Sequence, residues 1–227
     1  MRAMVLPAIA DLDSNPAPLQ PVSLPDPVPG ERDILIRVSV CGVCHTELDE
    51  IEGRTLPQQL PIVPGHEIVG RVAAMGEGCR RFALQQRVGV GWIHSSSGAA
   101  DENLSPDFRA TGRDAHGGYA ELVVVPERYA YPIPDVFSDA EAAPLLCAGG
   151  VGYRSLMLTG IRDGDVLGLT GFGGSGHLVL QLAKHLYPHS KVFVFARSDS
   201  ERAFALELGA DWAGDATAAP PAAPHAI

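Results

Sequence analysis

The chain has 227 residues, 46% of them hydrophobic and 19% charged, with a formal net charge of −10. That size allows one large or two modest domains with a sizeable core. The acidic balance without a basic stripe argues against nucleic acid as a partner. No apolar run approaches the ~18 residues of a membrane span, and the opening Met1-Arg2-Ala3-Met4 is not a signal peptide.

Met1 to Ala10 reads as an edge strand. Asn15 to Gly30 carries Pro16, Pro18, Pro21, Pro25, Pro27 and Pro29, and proline removes N–H donors, so extended surface chain is expected there. Asp33 to Val40 alternates, with Ile34, Ile36, Val38 and Val40 on one face, as a half-buried strand should. Ile68 to Ala74, Gln86 to Trp92 and Tyr119 to Pro126 also read as strands. Ile93 to Gly112 is polar, serine-rich and loop-like. Up to about Pro134 the pattern is that of a barrel-like β domain.

The pattern then changes. Ser138-x-x-Glu141 forms a capping box that starts a helix toward Cys147. From Gly164 the reading is strand 166–170, helix 177–187, strand 191–195, helix 199–208, with Ser198-x-x-Glu201 as the second cap and Gly209 as a stop. Alternating strand and helix over these lengths predicts parallel strands. Ala210 to Ile227 is rich in alanine and proline, and His225-Ala226-Ile227 reads as the opening of a fourth strand.

The glycine turn Gly171-x-Gly173-x-x-Gly176 sits between the first of these strands and its helix. In that context the glycines, Gly174 among them, read as a dinucleotide cradle at a helix N-terminus. The second strand ends in Ala196-Arg197-Ser198. An acidic residue there would hold the ribose 2′-hydroxyl of NAD, whereas an arginine accommodates the 2′-phosphate of NADP. Arg197 and Ser198 therefore favour NADP over NAD; the plainer alternative is a solvated arginine and a helix cap.

Four cysteines are too few for a disulfide scaffold, and a reduced, cytoplasmic setting is expected. Cys44, His66 and Cys147 would suit a zinc with an open fourth position, although spacing alone leaves Cys41-x-x-Cys44 open as a redox pair and His66 as a turn histidine.

Gly42-Val43-Cys44-His45-Thr46, Gly65-His66-Glu67, Gly117-Gly118-Tyr119-Ala120-Glu121, Ala142-Ala143-Pro144-Leu145-Leu146-Cys147-Ala148-Gly149 and the Gly171 turn come in the order found in medium-chain zinc-dependent alcohol dehydrogenases. The chain resembles that family, and within it the bacterial branch that includes propanol-preferring enzymes. The resemblance implies a two-domain α+β and α/β fold. Residues 1–150 would be a GroES-like β-barrel catalytic domain. Residues 151–227 would be the first half of a Rossmann domain, a doubly wound parallel sheet, with the active site in the cleft between the two.

The resemblance also implies that Cys44, His66 and Cys147 ligate one catalytic zinc, with Glu67 beside it as a transient ligand or support. Thr46 would hydrogen-bond the alcohol and start a proton relay, His45 would approach the cofactor phosphates, and Glu47 would fix the His66 tautomer. Cys41 and Cys79 would be structural. The implied reaction interconverts an alcohol with an aldehyde or ketone by zinc-assisted hydride transfer to or from the nicotinamide. Two other readings are weighed beside it: a zinc-free quinone or enoyl reductase on the same scaffold, and a non-catalytic zinc-binding fragment.

Departures from the family pattern shape further expectations. Asp49 stands where many relatives have the histidine that ends the relay, and either takes its place or lies exposed while protons leave through water. The family's four-cysteine structural zinc lobe is replaced by His94 to Ser105, without cysteine, so no structural zinc is expected. The chain stops after half a Rossmann pattern. It is expected to be truncated, with strand 166–170 exposed at its edge, the usual dimer contact of homo-oligomeric relatives lost, and little turnover.

Overall fold

The computed structural model describes residues 1–226. The chain divides into two compact units, the first Met1–Cys147 and the second from Ala148 onward. The first begins with β1 (Arg2–Val5), paired antiparallel to β2 (Gln20–Ser23). β2 lies inside the proline-rich stretch read from sequence as mere extended chain. Pro21 sits opposite Met4 on this two-stranded ribbon, where a missing N–H is tolerated.

The alternating run forms β3 (Asp33–Cys41), with Ile34 and Ile36 fully buried. A short helix, α1 (His45–Ile51), follows. Then come β4 (Ile68–Met75), β5 (Arg87–Val90), β6 (Ile93–Ser95), β7 (Arg109–Ala110), β8 (Leu122–Pro126) and β9 (Ala130–Pro132). Five of these strands make one antiparallel sheet in the order β8-β3-β4-β5-β9. Its core is β-branched: Ile34, Ile36, Ile68, Val72, Val88 and Val125, the residue types that pack best on a pleated surface. β6 and β7 pair at the base of the 93–112 stretch, so that stretch is not all loop. α2 (Asp139–Ala142) is capped as its sequence predicts: Ser138 N–H donates to Glu141 Oε2 at 2.8 Å, and Glu141 N–H to Ser138 Oγ at 3.3 Å. It tightens at once into a 3-10 turn over Ala143–Leu146, and the chain reaches Cys147.

The second unit opens with α3 (Ala148–Leu158), which sequence reasoning did not find. Gly149, Gly150 and Gly152 make it a poor helix on propensity. Packing decides otherwise: a Cβ on Gly152 would stand 2.6 Å from Val179 Cγ2, so the glycine is what lets α3 approach the next helix. β10 (Val166–Thr170), α4 (Gly174–Leu186), β11 (Lys191–Phe195), α5 (Asp199–Glu207) and β12 (Trp212–Gly214) follow. Both strand pairings are parallel, in the order β10-β11-β12. The two predicted strands match residue for residue. α4 starts three residues earlier than predicted, because its first turn is glycine and serine and carries no apolar period. β12, inside the alanine- and proline-rich stretch, was not foreseen.

On the far side of β10, Leu167 pairs in parallel with Ala226. Gly168 N–H donates to Ala226 O, His225 N–H donates to Val166 O, and Val166 N–H donates to His225 Nδ1, each at 2.8 Å. The opening of a fourth strand, as read from His225-Ala226, thus covers part of the β10 edge that was expected to be bare. Ile227 lies outside the described residues.

Candidate functional site

α1 starts at Cys44. Its Glu47 side chain reaches back, Oε2 accepting from Cys44 N–H at 2.7 Å, which satisfies one of the orphan donors of a helix start. A cysteine at the cap hides this signal from the usual Ser/Thr/Asp/Asn rule. The local fold sets Cys44 Sγ 3.8 Å from Cys147 Sγ, and Cys147 Sγ 3.3 Å from His66 Nε2. The ligand atoms of Cys44, His66, Glu67 and Cys147 all lie within 4.8 Å of one another. With Zn–S near 2.3 Å and Zn–N near 2.0–2.1 Å, a tetrahedral zinc requires S···S of about 3.8 Å and S···N of about 3.5 Å. The cluster has those spacings, and its donor set, two sulfurs, one imidazole and a nearby carboxylate, suits that metal.

The electrostatics are those of a site arranged for a cation. The Cys44 thiol is pushed down to about 3, first by the hydrogen bond from Cys147 and then by that from His66. Cys147 is pushed up by the same sharing, so one negative charge resides on the pair. Burial works against a charged His66, but the Cys44 sulfur and Glu47 outweigh it and push the imidazole up to about 10. Burial pushes Glu67 up to about 7. His66 Nδ1 and Glu47 Oε1 lie 2.6 Å apart. The approach is close but poorly aligned as a hydrogen bond, and neither atom has another partner.

The other anticipated residues fall in different places. Thr46 Oγ1 is 3.5 Å from Cys44 Sγ, at the edge of the cluster. His45 is exposed on the first turn of α1. Asp49 Oδ1 accepts from Arg54 Nε at 2.6 Å, so its carboxylate already holds a guanidinium. Cys41 is pushed up to about 12, chiefly by burial, and the Cys79 thiol donates to Asp33 O at 3.1 Å; neither sulfur joins the cluster.

Arg113, Asp114 and Glu50 escaped sequence reasoning. The Trp92 ring meets the His66 ring edge-on at 4.9 Å. The Arg113 guanidinium lies over Trp92, 5.4 Å from the ring centre, and is clamped by two bonds to Asp114 at 2.9 and 2.6 Å. Glu50 is 1% exposed and neither carboxyl oxygen has a partner. Only the i, i+3 spacing of Glu47 and Glu50 on one helix face could have hinted at it.

In the second unit, Gly171 takes φ +83°, a left-handed conformation that side chains disfavour. A Cβ on Gly176 would stand 2.7 Å from Gly171 O. Around Gly173, the residue that caps α4, nothing lies within 4 Å of where a Cβ would be. The helix start is therefore open to a pyrophosphate, as the motif requires. At the end of β11, Arg197 is exposed and Ser198 caps α5, accepting from Glu201 N–H at 3.2 Å. Arg197, Ser198, Ser200 and Glu201 line one open hollow.

Comparison with known proteins accords with this geometry. Residues 30–135 match the family model of the alcohol dehydrogenase GroES-like domain. Over 215 residues the chain is 41% identical to the probable alcohol dehydrogenase AdhA of Mycobacterium tuberculosis, covering 90% of this chain and 62% of that protein. The chain is similar to alcohol dehydrogenases over most of its length, and its residues 30–135 carry the GroES-like domain of that family. Among solved structures it is similar to an NAD-dependent alcohol dehydrogenase, with TM-score 0.86 and 30% identity over 96% of this chain and 64% of that one. It is also similar to the CAD of Helicobacter pylori complexed with NADP(H), with TM-score 0.82 and 26% identity over 93% of this chain and 63% of that one. The fold is thus a GroES-like domain followed by a parallel α/β unit consistent with part of a Rossmann domain. The chain spans 62% of the length of the Mycobacterium relative.

Proposed function

We propose that this chain belongs to the alcohol dehydrogenase family and carries the metal and cofactor machinery for interconverting a small alcohol with an aldehyde or ketone. The observation that carries the reading is the convergence of Cys44, His66, Glu67 and Cys147 within 4.8 Å. Cys44, His66 and Cys147 would hold one catalytic zinc, with Glu67 alongside. When bound, zinc supplies Lewis acidity toward the substrate oxygen and the nicotinamide carries the hydride.

The residues of the chain do the rest. Cys44 and Cys147 bring enough negative charge to balance the ion, and Glu47 fixes which His66 nitrogen faces it. The Thr46 hydroxyl hydrogen-bonds the substrate oxygen and passes its proton outward. Asp49 is the next carboxylate along α1, but proton uptake there breaks its ion pair with Arg54. We therefore favour exit through water at Asp49 over a relay that ends on it. The Gly171–Gly176 turn receives the pyrophosphate, and Arg197 with the Ser198 hydroxyl receives a 2′-phosphate, which favours NADP over NAD. Glu201 in the same hollow opposes that choice, but its carboxylate is engaged by Ser198 N–H and Oγ.

The 94–105 lobe offers hydrogen bonds in place of thiolates, which supports one zinc per chain. No described helix is long and apolar enough to cross a membrane. The setting we propose is cytoplasmic, with a small-molecule substrate and no nucleic acid or membrane partner. A homo-oligomeric state is proposed only for longer relatives.

Elemental analysis of the purified chain tests the reading: one zinc per chain is expected, lost in Cys44→Ser and Cys147→Ser. A metal-free wild-type chain after growth in zinc would refute it.

A further inference from the structure

The metal-centre reading leaves one buried group without a task. Glu50 lies on the inward face of α1, one turn beyond Glu47, and is 1% exposed with both carboxyl oxygens unpartnered. The charges whose fields reach it are those of Glu47, His66, Arg113 and Asp114. These belong to two pairs: buried Glu47 with His66 at 2.6 Å, and buried Asp114 with half-buried Arg113 at 2.6 Å. The pairs are already joined on one side, because Arg113 stacks on Trp92 and Trp92 abuts His66. Glu50 is buried on the same face of α1 as Glu47, one turn along, within the fields of both pairs.

We propose that Glu50 is a positioning residue of the metal centre, acting through Glu47: its buried carboxyl, one turn along the same face of α1, supports the Glu47 carboxylate that holds the His66 imidazole at the angle a metal needs. The inference rests on the zinc reading of Cys44, His66 and Cys147 and extends it behind the ligands.

The physical argument is one of waste. An unpartnered buried carboxyl destabilises a fold, and the inward face of α1 also carries Ile51, an apolar residue that fills such a position without penalty. Departures of this kind from the rules of good packing concentrate at functional sites. Glu50 cannot ionise cheaply beside the Glu47 carboxylate in a dry site. As a neutral acid it is a donor, and the carboxylate one turn away on the same helix face is Glu47, whose Oε1 has only its bent contact with His66. Groups that orient a ligating histidine from behind typically govern metal affinity by about 10- to 100-fold.

The test compares Glu50→Leu, Glu50→Gln and wild type in the full chain. Zinc affinity is read by competition with a chromophoric chelator, the visible spectrum is read after cobalt(II) loading, and melting temperature is read without metal. The expected result is a loss of zinc affinity of about 10-fold or more in Glu50→Leu, an altered cobalt spectrum, and a metal-free melting temperature equal to or above that of wild type. Glu50→Gln keeps a neutral donor and should stay near wild type.

A merely structural Glu50 predicts the reverse, a changed melting temperature with unchanged zinc affinity, and that result overturns the inference while leaving the zinc reading intact. Equal losses in Glu50→Gln and Glu50→Leu also overturn it, because donation would then not be the device. Should Glu50→Leu fail to fold, Glu50→Ala replaces it under the same criteria. A wild-type chain that binds no zinc ends both readings together.

Discussion

Tyr129 ties the 94–105 lobe together through its hydroxyl. It is 5% exposed, and its hydroxyl accepts from Ser96 N–H at 2.9 Å. The same oxygen lies 2.8 Å from Ser96 O and 2.9 Å from Glu102 Oε2, and Glu102 Oε2 also accepts from Gly98 N–H at 2.9 Å. The lobe over 94–105, where the family resemblance leads one to expect a cysteine-bound zinc, is thus tied by one phenol and one carboxylate. Tyr129→Phe strands several polar groups and should cost about 1–3 kcal/mol of stability in chemical denaturation. A metal chelator should leave the lobe of the wild-type chain as resistant to protease as before. At His116 the expected effect depends on pH. Its Nδ1 accepts from Val63 N–H at 3.1 Å, which a protonated imidazole cannot do, and burial lowers its pKa from the ordinary 6.5. Between the two values the unfolded chain binds the proton more readily. The stability this histidine contributes is therefore full above pH 6.5 and is lost as pH falls through the lower folded value. His116→Asn should flatten that part of a stability-versus-pH curve; an unchanged slope would remove His116 as its source.

Among the elements, the glycine turn is the least forgiving. A methyl group on Gly176 would press against Gly171 O at 2.7 Å, and backbone cannot yield as a flexible side chain can. Gly176→Ala should weaken NADPH binding by about 10-fold or more, about 1.4 kcal/mol, in a fluorescence titration, while zinc content stays at the wild-type value. Equal affinity would mean that this turn does not carry the cofactor. The strongly patterned elements β3, β10 and β11 were legible in sequence because alternating or continuous apolar runs fix them. α1 and α3 were not. The first has a cysteine cap and only seven residues, and the second has three glycines among its first five residues, of which Gly152 lets α4 approach. β2, β9 and β12 are strands of three or four residues, too short for any period to show.

At the scale of the whole molecule, each buried apolar cluster among the described residues draws its members from one unit. Leu167, Leu180, Val192 and Val194 form the core of the second unit, and the β-branched core of the sheet belongs to the first. Two separate cores predict two unfolding transitions rather than one. Zinc should raise the transition of Met1–Cys147, because Cys44, His66 and Cys147 all lie in that unit. NADPH should raise the transition of the unit from Ala148 onward. Ligand at 100 times its dissociation constant adds about 2.7 kcal/mol to the state that binds it. Differential scanning calorimetry with each ligand in turn checks this, and a single transition raised equally by both would show that the units unfold as one.

Sequence by itself determined the order of the two units, the parallel strands of the second and the glycine turn, because periodicity and φ constraints act over a few neighbouring residues. It also named Cys44, His66 and Cys147, though only through motifs shared with a family. Tertiary structure alone decided that these atoms meet within 4.8 Å, that Asp49 is held by Arg54, and that Glu50 is buried without a partner. Those facts depend on contacts between segments up to 103 residues apart, and no local pattern records what a side chain meets once the chain has closed on itself.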